Sequence, residues 1–110
     1  MTRLPMSSAG AALLRALLSR AGVHRDRILL TDYRSTDWQS LTFVGERHEM
    51  RFRISGPMAE ETYRVMTGDL ADSDVPIPRQ ILADMAVFGT PTREGDGSIS
   101  VGIEALTIEE

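Results

Sequence analysis

The side chains best suited to chemistry at neutral pH are the chain's two histidines. Imidazole changes charge in that range, and its neutral form is a good metal ligand. His48 follows Glu46 at a spacing that lets both point the same way on a strand, and His24 stands near Asp26 in a second segment. A structural metal site needs four donors at characteristic intervals. No third donor stands at such an interval, and Glu46 falls in an expected turn. The expectation for His48 is therefore a hydrogen-bonded histidine at the edge of an apolar face, with no metal. Nucleophilic catalysis needs a nucleophile, a base and an orienting group within reach. Ser35, Ser40, Ser55, Asp32 and Asp37 supply the residue types, but no nucleophile elbow surrounds any of the serines. Cysteine is absent, so there is no thiolate. No phosphate-cradling or dinucleotide glycine pattern occurs either. No catalytic residue and no cofactor are assigned, and the reading leans away from an enzyme.

A second constellation is basic and aromatic. Arg47, Arg51 and Arg53 recur at every second or fourth position, so on a strand they share one face with Glu49 and Trp38. A guanidinium over an indole gains about 0.5–1 kcal/mol at an exposed site. Such a face suits an anionic ligand, a nucleic acid or an acidic partner; it also suits plain solvation, the ordinary state of one side of an antiparallel sheet. The binding candidates are Trp38, Arg47, Arg51, Arg53 and His48. Met50, Met58, Met66 and Met85 fall at apolar positions and read as core.

These residues need elements to position them. Ser7 or Ser8 can cap a first helix, in which Leu13, Leu14, Leu17, Leu18 and Ala21 form one apolar stripe and Gly22 is a stop. Ile28 to Tyr33 is β-rich. Gly45-Glu46 suits a two-residue hairpin turn because glycine takes positive φ. That turn sets Val44 opposite Arg47, Phe43 opposite His48, Leu41 opposite Met50 and Trp38 opposite Arg53. Leu41, Phe43, His48, Met50, Phe52 and Ile54 then share an apolar face. Ser55-Gly56-Pro57 opens a second helix with Met58, Thr62, Val65 and Met66 inward, a Glu60–Arg64 pair, and Gly68 as its end. Asp69 to Pro78 is an acidic, proline-containing loop. Ile81 to Gly89 reads as a strand buried on both sides, Glu94 to Gly97 as a turn, and Ser98 to Ile108 as a last strand. Its apolar phase changes, which calls for a bulge near Glu104-Ala105. The order helix, strand, strand occurs twice.

The 110 residues make one domain, with 1–6 as a tail. All 12 cations are arginine, and lysine and asparagine are both absent, a pairing that suits a GC-rich genome. The net charge of −4 is split: residues 1–64 hold ten Arg against seven acids, and residues 65–110 hold two against nine. A chain with this net charge repels polyanions at long range, so the split favours attraction between halves or between copies over nucleic acid. No apolar run approaches the roughly 18 residues of a membrane span. The N-terminal segment reads as an amphipathic helix rather than a targeting peptide. The cysteine-free composition fits a reducing cytoplasm.

The stretch Thr31-Asp32-Tyr33-Arg34-Ser35 and Asp37 through Glu49, with Ile81-Leu82-Ala83-Asp84 and Ile103 to Ile108, resembles a group of small uncharacterised alphaproteobacterial proteins. The resemblance implies a compact bacterial cytoplasmic domain and carries no activity with it. The fold expected is α+β, helix-strand-strand twice (αββαββ), an antiparallel sheet with two helices packed on one face. The function expected is a non-catalytic interaction module that associates with itself through the Arg/Trp face and the acidic 69–74 segment. The alternative is a small-molecule (anionic ligand) binding protein or enzyme with a pocket near His48, Trp38 and Arg53.

Overall fold

The computed structural model describes residues 6–110. Helix α1 (Ser8–Ala21) is followed by a 3-10 segment (Gly22–Arg27), then strands β1 (Ile28–Gln39) and β2 (Val44–Ile54). Helix α2 (Ala59–Thr67), a 3-10 turn (Leu70–Asp72) and strands β3 (Gln80–Arg93) and β4 (Ile99–Glu109) complete the chain. The sheet is antiparallel in the order β1-β2-β4-β3. The α2 connection therefore passes across β4, and both central strands, β2 and β4, are paired along each side. No helix among the described residues is long and apolar enough to cross a membrane.

Period-two alternation builds the core. His48, Met50, Phe52 and Ile54 of β2 face the helices, as do Ile99, Val101, Ile103, Ala105 and Thr107 of β4. Against them α1 sets Ala9, Leu13 and Leu17, and α2 sets Ala59 and Met66. Ser7 starts α1 by accepting the Gly10 N–H on its hydroxyl at 3.1 Å. Gly22 ends it at φ 61°, a conformation that costs glycine nothing. Residues 1–5 of the expected tail lie outside the described residues, but Met6 packs partly buried against the core.

The first hairpin corrects the expected register. Its turn is at 40–43, where Ser40 N–H bonds the Phe43 carbonyl at 2.9 Å and the Ser40 hydroxyl accepts the Phe43 N–H at 3.1 Å. Residues 28–39 thus form one long strand, and Leu41 and Phe43 are not core. They stand at the hairpin tip, 105% and 51% exposed. Gly45 is inside β2 and does not take positive φ. A Cβ there would collide with the Thr107 carbonyl, so its glycine serves close approach of β2 to β4 and not a turn.

Other expectations also shift. The irregularities lie in β1 at Thr31 and in β3 after Leu82 and Phe88, not in β4. The second apolar phase of β4, Leu106 and Ile108, faces the side of the sheet away from the helices. Strand β3 is an edge with only Met85 fully buried, so it is not a doubly buried strand. Met58, just before α2, and Val65 within it are half exposed, and Ala59, Thr62 and Met66 turn inward. Glu60 pairs with Arg93 at 2.6 Å, and Arg64 pairs with Glu61 at 2.5 Å.

Helix α1 lies so close to the sheet that a Cβ on Gly10 would strike the Tyr33 hydroxyl and approach Met6 Cγ to 2.9 Å. Alanine would gain about 1 kcal/mol in helix propensity, against roughly 1–3 kcal/mol for overpacking and the displaced Tyr33 hydrogen bond. Gly10→Ala is expected to lower unfolding free energy in urea by about 1–2 kcal/mol. A gain in stability would show that α1 sits less tightly.

Candidate functional site

The sheet face opposite the helices carries five rows of side chains across four strands, in the order β1, β2, β4, β3. From one end these are Leu29–Arg53–Ser100–Thr92, Asp32–Arg51–Gly102–Phe88 and Arg34–Glu49–Glu104–Ala86. Thr36–Arg47–Leu106–Asp84 and Trp38–Gly45–Ile108–Ile81 follow. Among the described residues no helix covers them. The face holds four arginines (Arg34, Arg47, Arg51, Arg53) and four carboxylates (Asp32, Glu49, Asp84, Glu104), so it is electrically balanced, whereas the chain carries −4. Between β1 and β2 opposite signs face each other, with Asp32 opposite Arg51 and Arg34 opposite Glu49, whereas Glu49 faces Glu104 between β2 and β4.

Arg47, Arg51 and Arg53 do share this face with Trp38. But Trp38 opposes Gly45, not Arg53. Eight residues of β2 separate those rows, roughly 26 Å at the strand rise. The cation–π contact on the sheet is a different one: the Arg51 guanidinium lies 4.9 Å from the centroid of Phe88, which bridges over Gly102 of the intervening strand. The ring covers the glycine so closely that a Cβ at position 102 would come within 2.7 Å of it. Asp32, Arg34, Glu49, Arg51 and Phe88 line a shallow depression of about 170 Å³. At the far end Arg53 pairs with Asp96 at 2.6 Å. The Asp96 carboxyl is held at about 2, chiefly by the Ser98 hydroxyl and backbone N–H and then by Arg53.

His48 belongs to neither end of that face. It points under α1 and is fully buried. Its Nδ1 lies 3.0 Å from the Tyr33 hydroxyl and its Nε2 2.9 Å from Thr107 Oγ1. The Thr107 hydroxyl donates to the Glu46 carbonyl at 3.4 Å. Thr107 therefore accepts from Nε2–H while Tyr33 donates to Nδ1, which defines one neutral tautomer. The Glu46 carboxylate, 3.8 Å from Nε2, accepts from Ser7 at 2.8 Å and also from Ser35. Burial pushes the His48 pKa below its ordinary value, opposed by Glu46, and burial raises that of Tyr33. Both serines bond the carboxylate and neither bonds the imidazole, so no activated nucleophile is assembled. The cluster ties β1, β2, β4 and the start of α1 together.

The candidate pocket uniting His48, Trp38 and Arg53 is thus not brought together: one lies beneath the helices, and two stand at opposite ends of the other face. Glu46 was singled out beside His48 by its spacing, whereas Tyr33, Ser35 and Thr107 were not expected in this cluster. The sequence signal for these three is parity, since each falls in the inward phase once the turn is placed at 40–43.

Asp96 has a depressed pKa in the folded state, so it stabilises the fold above its ordinary 3.8. That contribution is lost as pH falls through about 2. In an NMR titration its carboxyl is expected to follow a midpoint near 2 and to move upward more in Ser98→Ala than in Arg53→Ala. The reverse order would make the ion pair the main cause. No protein-family model matches the chain, and no match to it was found among curated proteins or solved structures.

Proposed function

We propose that this protein is a non-catalytic interaction module whose partner is a second copy of itself, joined through the uncovered sheet face. The observation that carries this reading is the composition of that face. It combines balanced charge with an apolar end made of Trp38, Leu106, Ile108 and Ile81, of which Ile81 is 54% exposed. Arginines and carboxylates in equal number can pair across a two-fold axis, where the same patch meets itself. A polyanion would gain nothing from a face with no excess of cations, which argues against nucleic acid. The rows span roughly 19 by 26 Å, about 500 Å², which is over half of the standard interface of about 800 Å² per partner.

The acidic segment takes a secondary place in this reading. Among the described residues no ion pair involves Asp69, Asp72 or Asp74, so their charge is available to a partner. But the segment is anchored on the helix side. Leu70, Val75 and Ile77 enter the core, and Arg20 ties the segment to α2 by donating to the Ser73 hydroxyl at 2.9 Å and to the Met66 carbonyl of α2 at 3.0 Å. A contact between the open face of one copy and the acidic segment of another is head-to-tail and does not close by itself, whereas sheet face on sheet face closes as a dimer. We place this activity in the bacterial cytoplasm, consistent with the cysteine-free, all-arginine composition.

Light scattering combined with sedimentation equilibrium at low and high salt tests the reading. The expected result is a concentration-dependent dimer that Ile81→Glu weakens about 30-fold, the effect of losing a well-packed interface anchor of about 2 kcal/mol. A monomer at every concentration and at both salt levels would contradict it.

A further inference from the structure

The buried polar cluster is joined to the start of α1 in two ways. Ser7 is the residue whose hydroxyl caps the helix, and that same hydroxyl donates to Glu46. Gly10, one turn on, is packed against the Tyr33 hydroxyl, which in turn donates to His48. The groups facing the imidazole are few. Strand β1 brings Tyr33, β2 brings the Glu46 carboxylate, β4 brings the Thr107 hydroxyl, and the overlying start of α1 brings Ser7 and Gly10 and no acidic residue in its first turn. Of these only Tyr33 and Glu46 carry an ionisable group.

We propose that protonation of His48 releases the first turn of α1 from the sheet. In the closed state Nδ1 must accept, because Tyr33 donates to it and Nε2–H is committed to Thr107. A proton on Nδ1 turns that acceptor into a donor. The Tyr33 hydroxyl must then turn to another acceptor, and the side chains beside it are Glu46, Ser7 and Ser35, the groups that already tie the start of α1 to the sheet. The new positive charge has one carboxylate near it, Glu46 at 3.8 Å. Movement of Glu46 toward the imidazolium takes it from Ser7, so the helix loses its tether to the sheet. Water reaches the buried cation most directly where that first turn lifts.

The direction with pH follows from linkage. A buried histidine held below its ordinary 6.5 binds protons more readily when open than when closed. The closed state is therefore fully favoured above about 6.5, and its margin shrinks as pH falls below that value.

The test is amide hydrogen exchange by NMR on the full chain between pH 7.5 and pH 5, corrected for intrinsic exchange rates. Protection of Gly10, Ala11, Ala12 and Leu13 is expected to fall about tenfold on acidification, because the open state takes up the proton that the closed state resists. Protection of Val101 and Ile103 at the sheet centre is expected to hold. In His48→Gln, whose amide can serve both hydroxyls without titrating, the fall is expected to vanish. Ser7→Ala supplies an independent check that keeps His48: its first turn is expected to be less protected already at pH 7.5, with a smaller pH step. An unchanged fall in His48→Gln, a fall shared equally by the sheet centre, or full protection at pH 5 would each overturn the proposal.

Discussion

Alternation along β2 is the constraint on which the rest of this structure depends. The strand is paired on both sides, so its two faces cannot share a role. His48, Met50, Phe52 and Ile54 go under the helices, and Arg47, Glu49, Arg51 and Arg53 go to the open side. A slip of one residue would bury three arginines and a glutamate against Leu13, Leu17 and Met66, at several kcal/mol for each unpaired charge. With β2 set, its neighbours follow: the partners of inward residues on β1 and β4 are themselves inward, including Tyr33 and Thr107 beside His48. One strand therefore defines both the helix-covered core and the uncovered face.

The two sides solve opposite problems. Under α1 a polar cluster is buried, and it is tolerated because each member has a partner: Tyr33 to His48, His48 to Thr107, Thr107 to Glu46, and Ser7 and Ser35 to Glu46. On the open side apolar groups are left uncovered at one end, with balanced charge over the remainder. A domain of this size buries only about two thirds of the surface its unfolded chain exposes, so association is a natural source of added stability. Phe88 reaching over Gly102 to Arg51 shows how the face covers its own weak point, since glycine leaves the centre of a strand without a side chain to pack.

Element order, the inward phase of β2 and the caps of α1 were legible in the residues, because periodicity and capping act locally. The first hairpin turn was not. Gly45-Glu46 has the chemistry of a tight turn, yet Gly45 is required by the nearness of Thr107, a contact from the far end of the chain. Ser40 closes the turn with side-chain hydrogen bonds that carry a weaker sequence signature than a glycine. That single displacement moved Leu41 and Phe43 out of the expected core and parted Trp38 from Arg53. It left the inward phase of β2 unchanged, which is why the fold survived the error. Of the candidate residues, the three arginines and Trp38 were placed on the right face, while the burial of His48 depended on the hydroxyls of Tyr33 and Thr107, from two other strands.

Isotope-filtered nuclear Overhauser spectroscopy on a mixture of labelled and unlabelled protein measures the central claim most directly, because it reports only contacts between copies. The account predicts intermolecular contacts from Trp38, Phe88, Leu106, Ile108 and Ile81. Intermolecular contacts confined to the helix side or to strand edges, with none from those five residues at millimolar concentration, would contradict it.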